Sequence, residues 1–116
     1  MTAKTFQSHR LREGATHPTL RLEKILAPTD FSPASKNAFR YALRYAEEFG
    51  AELTLLHVPS HEIVDAAKEA DVDLIIIATH GYTGWKHFCI GSTAERVVRA
   101  AHCPVLVVRE KEHEFC

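Results

Sequence analysis

The sequence predicts an α/β domain built on a parallel sheet with helices on both faces, and three observations support this fold class. Four short segments rich in Ile, Val and Leu alternate with segments whose apolar residues recur at helical spacing. The third apolar segment is continuous, as is typical of a strand that helices cover on both faces. With 116 residues, 46% of them hydrophobic, the chain suits one domain with a substantial core.

The four apolar segments are the expected strands. In chain order they are KILAP, ELTLLHV, VDLIIIAT and PVLVVR, at residues 24–28, 52–58, 72–79 and 104–109. Strands that alternate with helices run parallel, and ligands of such sheets bind beyond the carboxyl ends of the strands. Two loops lie at that edge, PTDFS after the first strand and THGYTGWKHFCIGST after the third. A binding site is therefore expected at these loops.

The first helix is expected directly after the PTDFS loop. Ser32 can cap its N-terminus, Pro33 suits its first turn, and Gly50 fits the position just past its end. Its apolar stripe consists of Ala38, Phe39, Ala42, Leu43, Tyr45, Ala46 and Phe49.

Two shorter helices complete the predicted elements. The residues near 61–70 form a narrower stripe, made of Ile63, Val64, Ala66, Ala67 and Ala70. The last helix is expected to start with Ser92 as its cap, because Glu95 three residues later completes a capping-box pattern. Pro104 ends that helix.

The second loop holds three of the five glycines of the chain. Gly81 and Gly84 permit unusual backbone conformations, and Gly91 stands just before a helix whose free N–H groups and dipole favour an anion. The hydroxyls of Ser92 and Thr93 add donors, so a phosphate is the expected ligand. The residues leave open a plain strand-to-helix connection, because the loop matches neither the GxxxxGK[ST] nor the GxGxxG phosphate motif.

Asp30, just past the first strand, is the second candidate for a binding residue. Its carboxylate could accept hydrogen bonds from ribose hydroxyls or from an adenine amine. The alternative is that Asp30 only orders the turn that precedes the first helix.

Taken together, several of these segments resemble the universal stress protein family. They are KILAPTDFS, AELTLLHV, DLIIIATHGYTG, GSTAERVV and CPVLVV, in family order over about residues 23–109. ATP-binding members of that family carry the pattern G-x2-G-x9-G-[ST]. Gly81 and Gly91-Ser92 match its second half with the nine-residue spacing, whereas Ala78 replaces its first glycine.

The resemblance implies a small stress-response protein that binds ATP, alone or with Mg²⁺, and acts as a regulatory module. The residues near the nucleoside would be Pro28, Thr29 and Asp30, with Val58 lining the adenine pocket. The loop contacts would come from Ala78, Thr79, His80 and Gly81, and the phosphate contacts from Gly91, Ser92 and Thr93. The resemblance also implies a Rossmann-like fold and a homodimer through the strand at 104–109, which would otherwise be an unpaired edge.

The chain departs from the family pattern after its second strand. Family members have a further helix and strand there, whereas LLHVPS runs directly into HEIVDAAKEADVD. Four core strands rather than five are therefore expected, with the second strand as a new edge. The predicted domain spans residues 22–112, between a flexible extension at 1–21 and a tail at 113–116.

Composition narrows the function classes. A net charge of −1 predicts neither a nucleic acid nor a membrane as partner. Three cysteines without CxxC spacing, and no apolar N-terminal run, favour a cytoplasmic protein. No metal site and no nucleophile–base pair is predicted. Slow ATP hydrolysis is left open, but no catalytic residue is assigned to it. The alternative function is a nucleotide-free interaction protein of the same fold with a degraded pocket.

Overall fold

The protein is described by a computed structural model that covers residues 21–79 and 91–109. Strands and helices alternate along these residues, as the apolar pattern predicts. The elements are β1 (Lys24–Pro28), α1 (Pro33–Phe49), β2 (Glu52–Leu56), a 3-10 turn (Ser60–Glu62), α2 (Ile63–Ala70), β3 (Leu74–Ala78), α3 (Ser92–Ala100) and β4 (Val105–Val108).

All pairings between neighbouring strands are parallel, and the strand order is β2-β1-β3-β4. This confirms the predicted sheet of four core strands, within the described residues. β1 lies inside the sheet and pairs with β2 along its whole length and with β3 near its start. In the part of the chain that the structure describes, β2 and β4 are the two edge strands of the sheet. The carboxyl ends of β1 and β3 therefore lie side by side.

Alternate residues of the strands face two separate core layers. On one face Ile25, Ala27, Leu74 and Ile76 pack with Ala38 and Ala42 of α1. On the other face the layer consists of Leu26, Ile75 and Ile77 with Ile63 and Ala67 of α2 and Ala94 and Val97 of α3. Burying such side chains contributes roughly 1.5–3 kcal/mol each for a Val or Ile. The predicted helices on both faces are confirmed.

α1 begins and ends where the sequence predicts. Ser32 is its N-cap and accepts a hydrogen bond from the Ser35 amide at 3.2 Å, and Pro33 opens the first turn. Gly50 ends the helix in the left-handed region, at φ 65°. The stripe is narrower than expected, because Leu43 and Phe49 are each 42% exposed. Leu43 follows the buried Ala42 by about 100° of helical rotation, which turns it away from the sheet.

Three strands are shorter than predicted. β2 ends at Leu56, whose carbonyl accepts the last bond of the β1–β2 ladder from the Thr29 amide at 2.8 Å. β1 turns away after that point, so β2 has no partner with which to continue to residue 58. β3 begins at Leu74 and β4 covers Val105–Val108.

The predicted cap of the last helix is wrong by one residue. Gly91, not Ser92, is the N-cap of α3, and Ser92 is the first helical residue. The Glu95 amide donates to the Gly91 carbonyl at 3.0 Å, so the first helical hydrogen bond already starts at Gly91. The capping box between Ser92 and Glu95 therefore does not form.

The second predicted helix is preceded by a 3-10 turn. α2 covers Ile63–Ala70 of the predicted 61–70, after the turn at Ser60–Glu62. Over the two described ranges, no helix is both long and apolar enough to cross a membrane. The predicted N-terminal extension up to residue 20 and the tail at 113–116 lie outside the described residues.

Candidate functional site

A cleft opens at the carboxyl edge of the sheet, between the ends of β1 and β3 and the start of α3. Nine of the eleven predicted site residues line it: Pro28, Thr29, Asp30, Val58, Ala78, Thr79, Gly91, Ser92 and Thr93. The other two, His80 and Gly81, lie outside the described residues. Residues far apart in the sequence thus meet at the edge where a parallel sheet binds its ligands.

The lining of the cleft combines hydroxyl groups with apolar surface. Its hydroxyl residues are Thr29, Ser32, Ser35, Ser60, Thr79, Ser92 and Thr93. Its apolar residues are Pro28, Val58, Ile63, Ile77, Ala78 and Ala94. Asp30 is the charged residue among the described lining. An apolar wall with a few convergent polar groups is typical of a small-molecule site, and neutral donors can bind both sugar and phosphate oxygens.

The loop after β1 is held by its own side chains. The Phe31 amide donates to Thr29 Oγ1 and the Ser32 amide donates to Asp30 Oδ1, both at 2.9 Å. Phe31 adopts φ 66°, a left-handed conformation that is strained for a bulky residue. Asp30 therefore orders this turn, as the second interpretation of the sequence expected. A contact between Asp30 and a ribose stays a prediction.

Ser35 is a site residue that the sequence analysis missed. It is 5% exposed and its Oγ lies 2.9 Å from Thr29 Oγ1, while it donates to the Ser32 carbonyl at 3.0 Å. Ser35 stands three residues after the cap, so the first turn of α1 directs it toward the end of β1. The Ser-x-x-Ser spacing at the start of a helix that follows a strand could have indicated it.

His57 connects the end of β2 to the loop after β1. Its Nδ1 lies 2.9 Å from the Thr29 carbonyl oxygen, which can only accept, so Nδ1 carries the proton. The imidazole also packs against the ring of Phe31, with 4.8 Å between the ring centroids. These contacts hold the strained loop in place beside the cleft.

The start of α3 lies against the end of β3. The Gly91 amide donates to Thr79 Oγ1 at 2.8 Å, and the Thr79 amide donates to the Val108 carbonyl at 3.0 Å. A Cβ atom added to Gly91 would meet Thr79 Oγ1 at 3.8 Å, an ordinary contact. The helix N-terminus, with the positive end of its dipole, thus borders the cleft next to Ser92 and Thr93.

Comparison with known families gives a match over most of the chain. The sequence profile described as "Universal stress protein family" matches residues 21–61 and 59–109. The two stretches meet at residues 59–61, where the sequence analysis expects a helix and a strand to be missing.

Curated relatives match over about half of their own length. Universal stress protein MJ0531 of Methanocaldococcus jannaschii is 42% identical over 82 residues, which is 68% of this chain and 48% of the relative. Universal stress protein MJ0577 of the same organism is 34% identical over 80 residues, covering 66% and 49% of the two chains. The chain therefore spans about half the length of these relatives.

Solved structures share the fold. The universal stress protein UspA from Lactobacillus plantarum has a TM-score of 0.71 at 24% identity, over 78% of this chain and 100% of the other. A universal stress protein in complex with cAMP has a TM-score of 0.68 at 18% identity, over 78% and 98%. At these identities the likeness shows the architecture.

Proposed function

The chain belongs to the universal stress protein family, and we propose that it is a cytoplasmic, stress-responsive module that binds ATP in the cleft at the carboxyl edge of its sheet. The observation that carries this proposal is the convergence of nine predicted site residues on one cleft. These residues come from the loop after β1, from the chain beyond β2, from the end of β3 and from the start of α3.

The two kinds of lining surface suit the two ends of an adenine nucleotide. Val58 lies two residues beyond β2, is half-buried and belongs to the apolar side of the cleft, where it would face the base. Thr29 and Asp30 would hold the ribose. Ser92, Thr93 and the N-terminus of α3 would bind the phosphates, whose charge the helix dipole favours. One solved structure of the same fold contains cAMP, which supports an adenine nucleotide as the ligand class.

Ala78, which replaces the first glycine of the family pattern, is compatible with this proposal. It is the last residue of β3, and it packs against the α1 layer of the core. Part of the Ala78 surface is thus buried in the core. The added methyl group therefore narrows the cleft by less than a side chain that faced the ligand completely.

The first experiment is to denature freshly purified protein, to chromatograph the nucleotide that it releases and to titrate the stripped protein with Mg-ATP. Stoichiometric release of ATP, or rebinding with a micromolar dissociation constant, is the expected result. Absence of released nucleotide together with no binding at millimolar ATP would contradict the proposal. Mg-GTP is the matched control, because it keeps the phosphates and changes only the base.

A turnover measurement belongs to the same experiment. We propose a binding module rather than an enzyme, because the described lining contains one carboxylate, Asp30, and that group already orders its own turn. ATP that stays intact over many hours with purified protein is the expected result. Rapid release of phosphate would instead assign a catalytic role to the cleft.

A nucleotide-free interaction protein is the second candidate, and the edge strand β2 favours it. Leu55 of β2 is 49% exposed, and β2 has a neighbour on one side within the described part of the chain. An edge strand with an exposed apolar residue is a surface to which another chain can add a strand. Failure of nucleotide binding would favour this second candidate, with the β2 edge as its binding surface.

A further inference from the structure

Thr79 lies where three elements of the fold meet. It directly follows β3, its amide donates to the Val108 carbonyl of β4 at 3.0 Å, and its Oγ1 accepts from the Gly91 amide at 2.8 Å. Only 2% of the residue is exposed although it lines the cleft. The backbone of Thr79 is thus fixed by the sheet, while its hydroxyl oxygen is bonded to the start of α3.

α3 begins without a side-chain cap, because its N-cap residue Gly91 has no side chain with which to bond the first turn. A usual N-cap side chain folds back over its own helix and uses one of the first-turn N–H groups. Here the hydroxyl belongs to Thr79, the residue after β3, and accepts from the amide of Gly91 itself. The N-terminus of α3 is thereby placed against β3 while its first turn still borders the cleft.

This contact constrains the spacing between the two elements. Thr79 and Gly91 are twelve positions apart in the sequence, so the bond joins two separate elements rather than residues of one turn. A hydrogen bond of 2.8 Å to the buried Thr79 side chain has a narrow range of acceptable geometry. Together with the packing of Ala94 and Val97 against the sheet, it holds the helix N-terminus beside the end of β3.

We propose that Thr79 is a positioning residue, whose hydroxyl oxygen holds the start of α3 in the place where it receives a nucleotide phosphate. This inference rests on the proposed ATP binding. It assigns the Thr79 oxygen to the Gly91 amide rather than to the ligand. Preorganised donors bind more tightly because the ligand does not have to order them first.

Two substitutions separate the hydrogen bond from the packing. Thr79→Val keeps the shape of the side chain and removes the acceptor, which leaves the Gly91 amide without its partner. Thr79→Ser keeps the acceptor and removes the buried methyl group. A role in positioning predicts that Thr79→Val loses function and Thr79→Ser retains it, whereas a role in packing predicts the reverse.

The binding readout is titration of each stripped protein with Mg-ATP. We expect Thr79→Val to bind about tenfold more weakly, because the start of α3 is no longer held in place for the phosphate, and Thr79→Ser to stay within about threefold of the unaltered protein. Thermal unfolding of both variants checks that each is folded at the temperature of the titration. Equal affinity of Thr79→Val and the unaltered protein, or a loss in Thr79→Ser as large as in Thr79→Val, would overturn the inference.

The second readout needs no nucleotide. Hydrogen exchange of the Gly91 amide, followed by NMR, should be faster in Thr79→Val and unchanged in Thr79→Ser, because only the former lacks the acceptor. If the unaltered protein binds no nucleotide, the proposed function is wrong and the part of this inference that concerns phosphate fails with it. The exchange rates then still decide whether Thr79 positions α3: unchanged exchange in Thr79→Val would overturn that as well.

Discussion

Gly50 and Gly91 occur at their positions for different physical reasons. Gly50 ends α1 at φ 65°, where a side chain is strained although a Cβ atom would meet nothing within 4 Å. Gly91 caps α3 at an ordinary negative φ of −49°, where a Cβ atom would be in normal contact with Thr79. The backbone conformation therefore explains the glycine at position 50. We attribute the glycine at position 91 to the close approach of a ligand.

Gly→Ala substitution at the two positions should give opposite results. Gly50→Ala is expected to lower the free energy of unfolding by about 1 kcal/mol and to leave Mg-ATP affinity unchanged, because a residue with a side chain is strained in the left-handed region. Gly91→Ala is expected to weaken ATP binding, and Gly91→Val to abolish it, since added methyl groups would occupy space next to the phosphates.

Denaturant unfolding and calorimetric titration of the same samples measure both quantities. Alanine is a poorer N-cap than glycine, so Gly91→Ala is also expected to lower the free energy of unfolding by up to about 1 kcal/mol. The test of Gly91 is therefore the affinity for Mg-ATP and not the stability. Unaltered affinity in Gly91→Val would exclude Gly91 as a position of close ligand approach.

At the scale of elements, Asp73 joins the start of β3 to the start of β1. Its Oδ2 accepts from the amides of Glu23 and Lys24, each at 2.9 Å, at the edge of the sheet opposite the cleft. The hydrogen bond from Glu23, then that from Lys24, lowers the pKa of the Asp73 carboxyl below its ordinary value of 3.8. Burial raises the pKa of the Cys103 thiol, and the negative charge of Asp73 raises it further.

This contact predicts a specific acid dependence of stability. Because the folded state lowers the pKa of Asp73, it binds this proton less readily than the unfolded state. The stabilisation is therefore present above pH 3.8 and is lost as the pH falls through 3.8 and the lower folded pKa. The contribution is a small share of the total, since solvent screens an exposed carboxylate.

Asp73→Asn provides the test. The variant should be less stable than the unaltered protein at pH 7, and the difference should shrink as the pH falls below 3.8. Asp71→Asn is the matched control, because Asp71 lies two residues away at the end of α2 and bonds the carbonyls of the last helical turn through its backbone amide rather than its carboxylate. A difference between Asp73→Asn and the unaltered protein that stays constant from pH 7 to pH 3 would contradict the assignment.

At the scale of the whole molecule, the described residues give the sheet two edge strands, β2 and β4. We propose that β4 pairs with a second copy of the chain, as the resemblance to the family implies, whereas β2 stays an edge.

In a parallel strand, alternate residues direct their N–H groups to the same neighbour. Since the carbonyls of Pro104 and Val108 bond to β3, the amide of Val107 points to the outside. By the same argument on β2, the amide of Leu55 points outward, because Glu52 and Leu56 bond to the β1 side.

Proline at these two outward positions tests the dimer. Val107→Pro removes an amide from the β4 edge and should convert a dimer into a monomer, while the bonds from β4 to β3 remain. Leu55→Pro makes the same change at the β2 edge and should leave the dimer intact. Light scattering after size-exclusion chromatography gives the mass of each variant, and circular dichroism confirms that it is folded. A dimer that survives Val107→Pro and is lost in Leu55→Pro would place the interface on β2.

The sequence by itself determined the elements of this protein and the edge of the sheet at which its cleft opens. Runs of branched apolar residues separated by amphipathic segments allow few arrangements other than a parallel sheet with covered faces. Ser32 and Gly50 specify the ends of α1 through local backbone chemistry, so those ends were predictable. The resemblance to the family predicted nine residues that the fold brings to one cleft.

Contacts between distant residues were decided only by the tertiary structure. The cap of α3 is Gly91 rather than Ser92, and the Gly91 amide donates to Thr79, which follows β3 and lies twelve positions away in the sequence. β2 ended at Leu56 because its partner β1 turns away after Pro28, and Ser35 joined the cleft through its contact with Thr29. Local propensity and spacing act over a few residues, whereas these features depend on which strands become neighbours, and packing of the whole chain determines that.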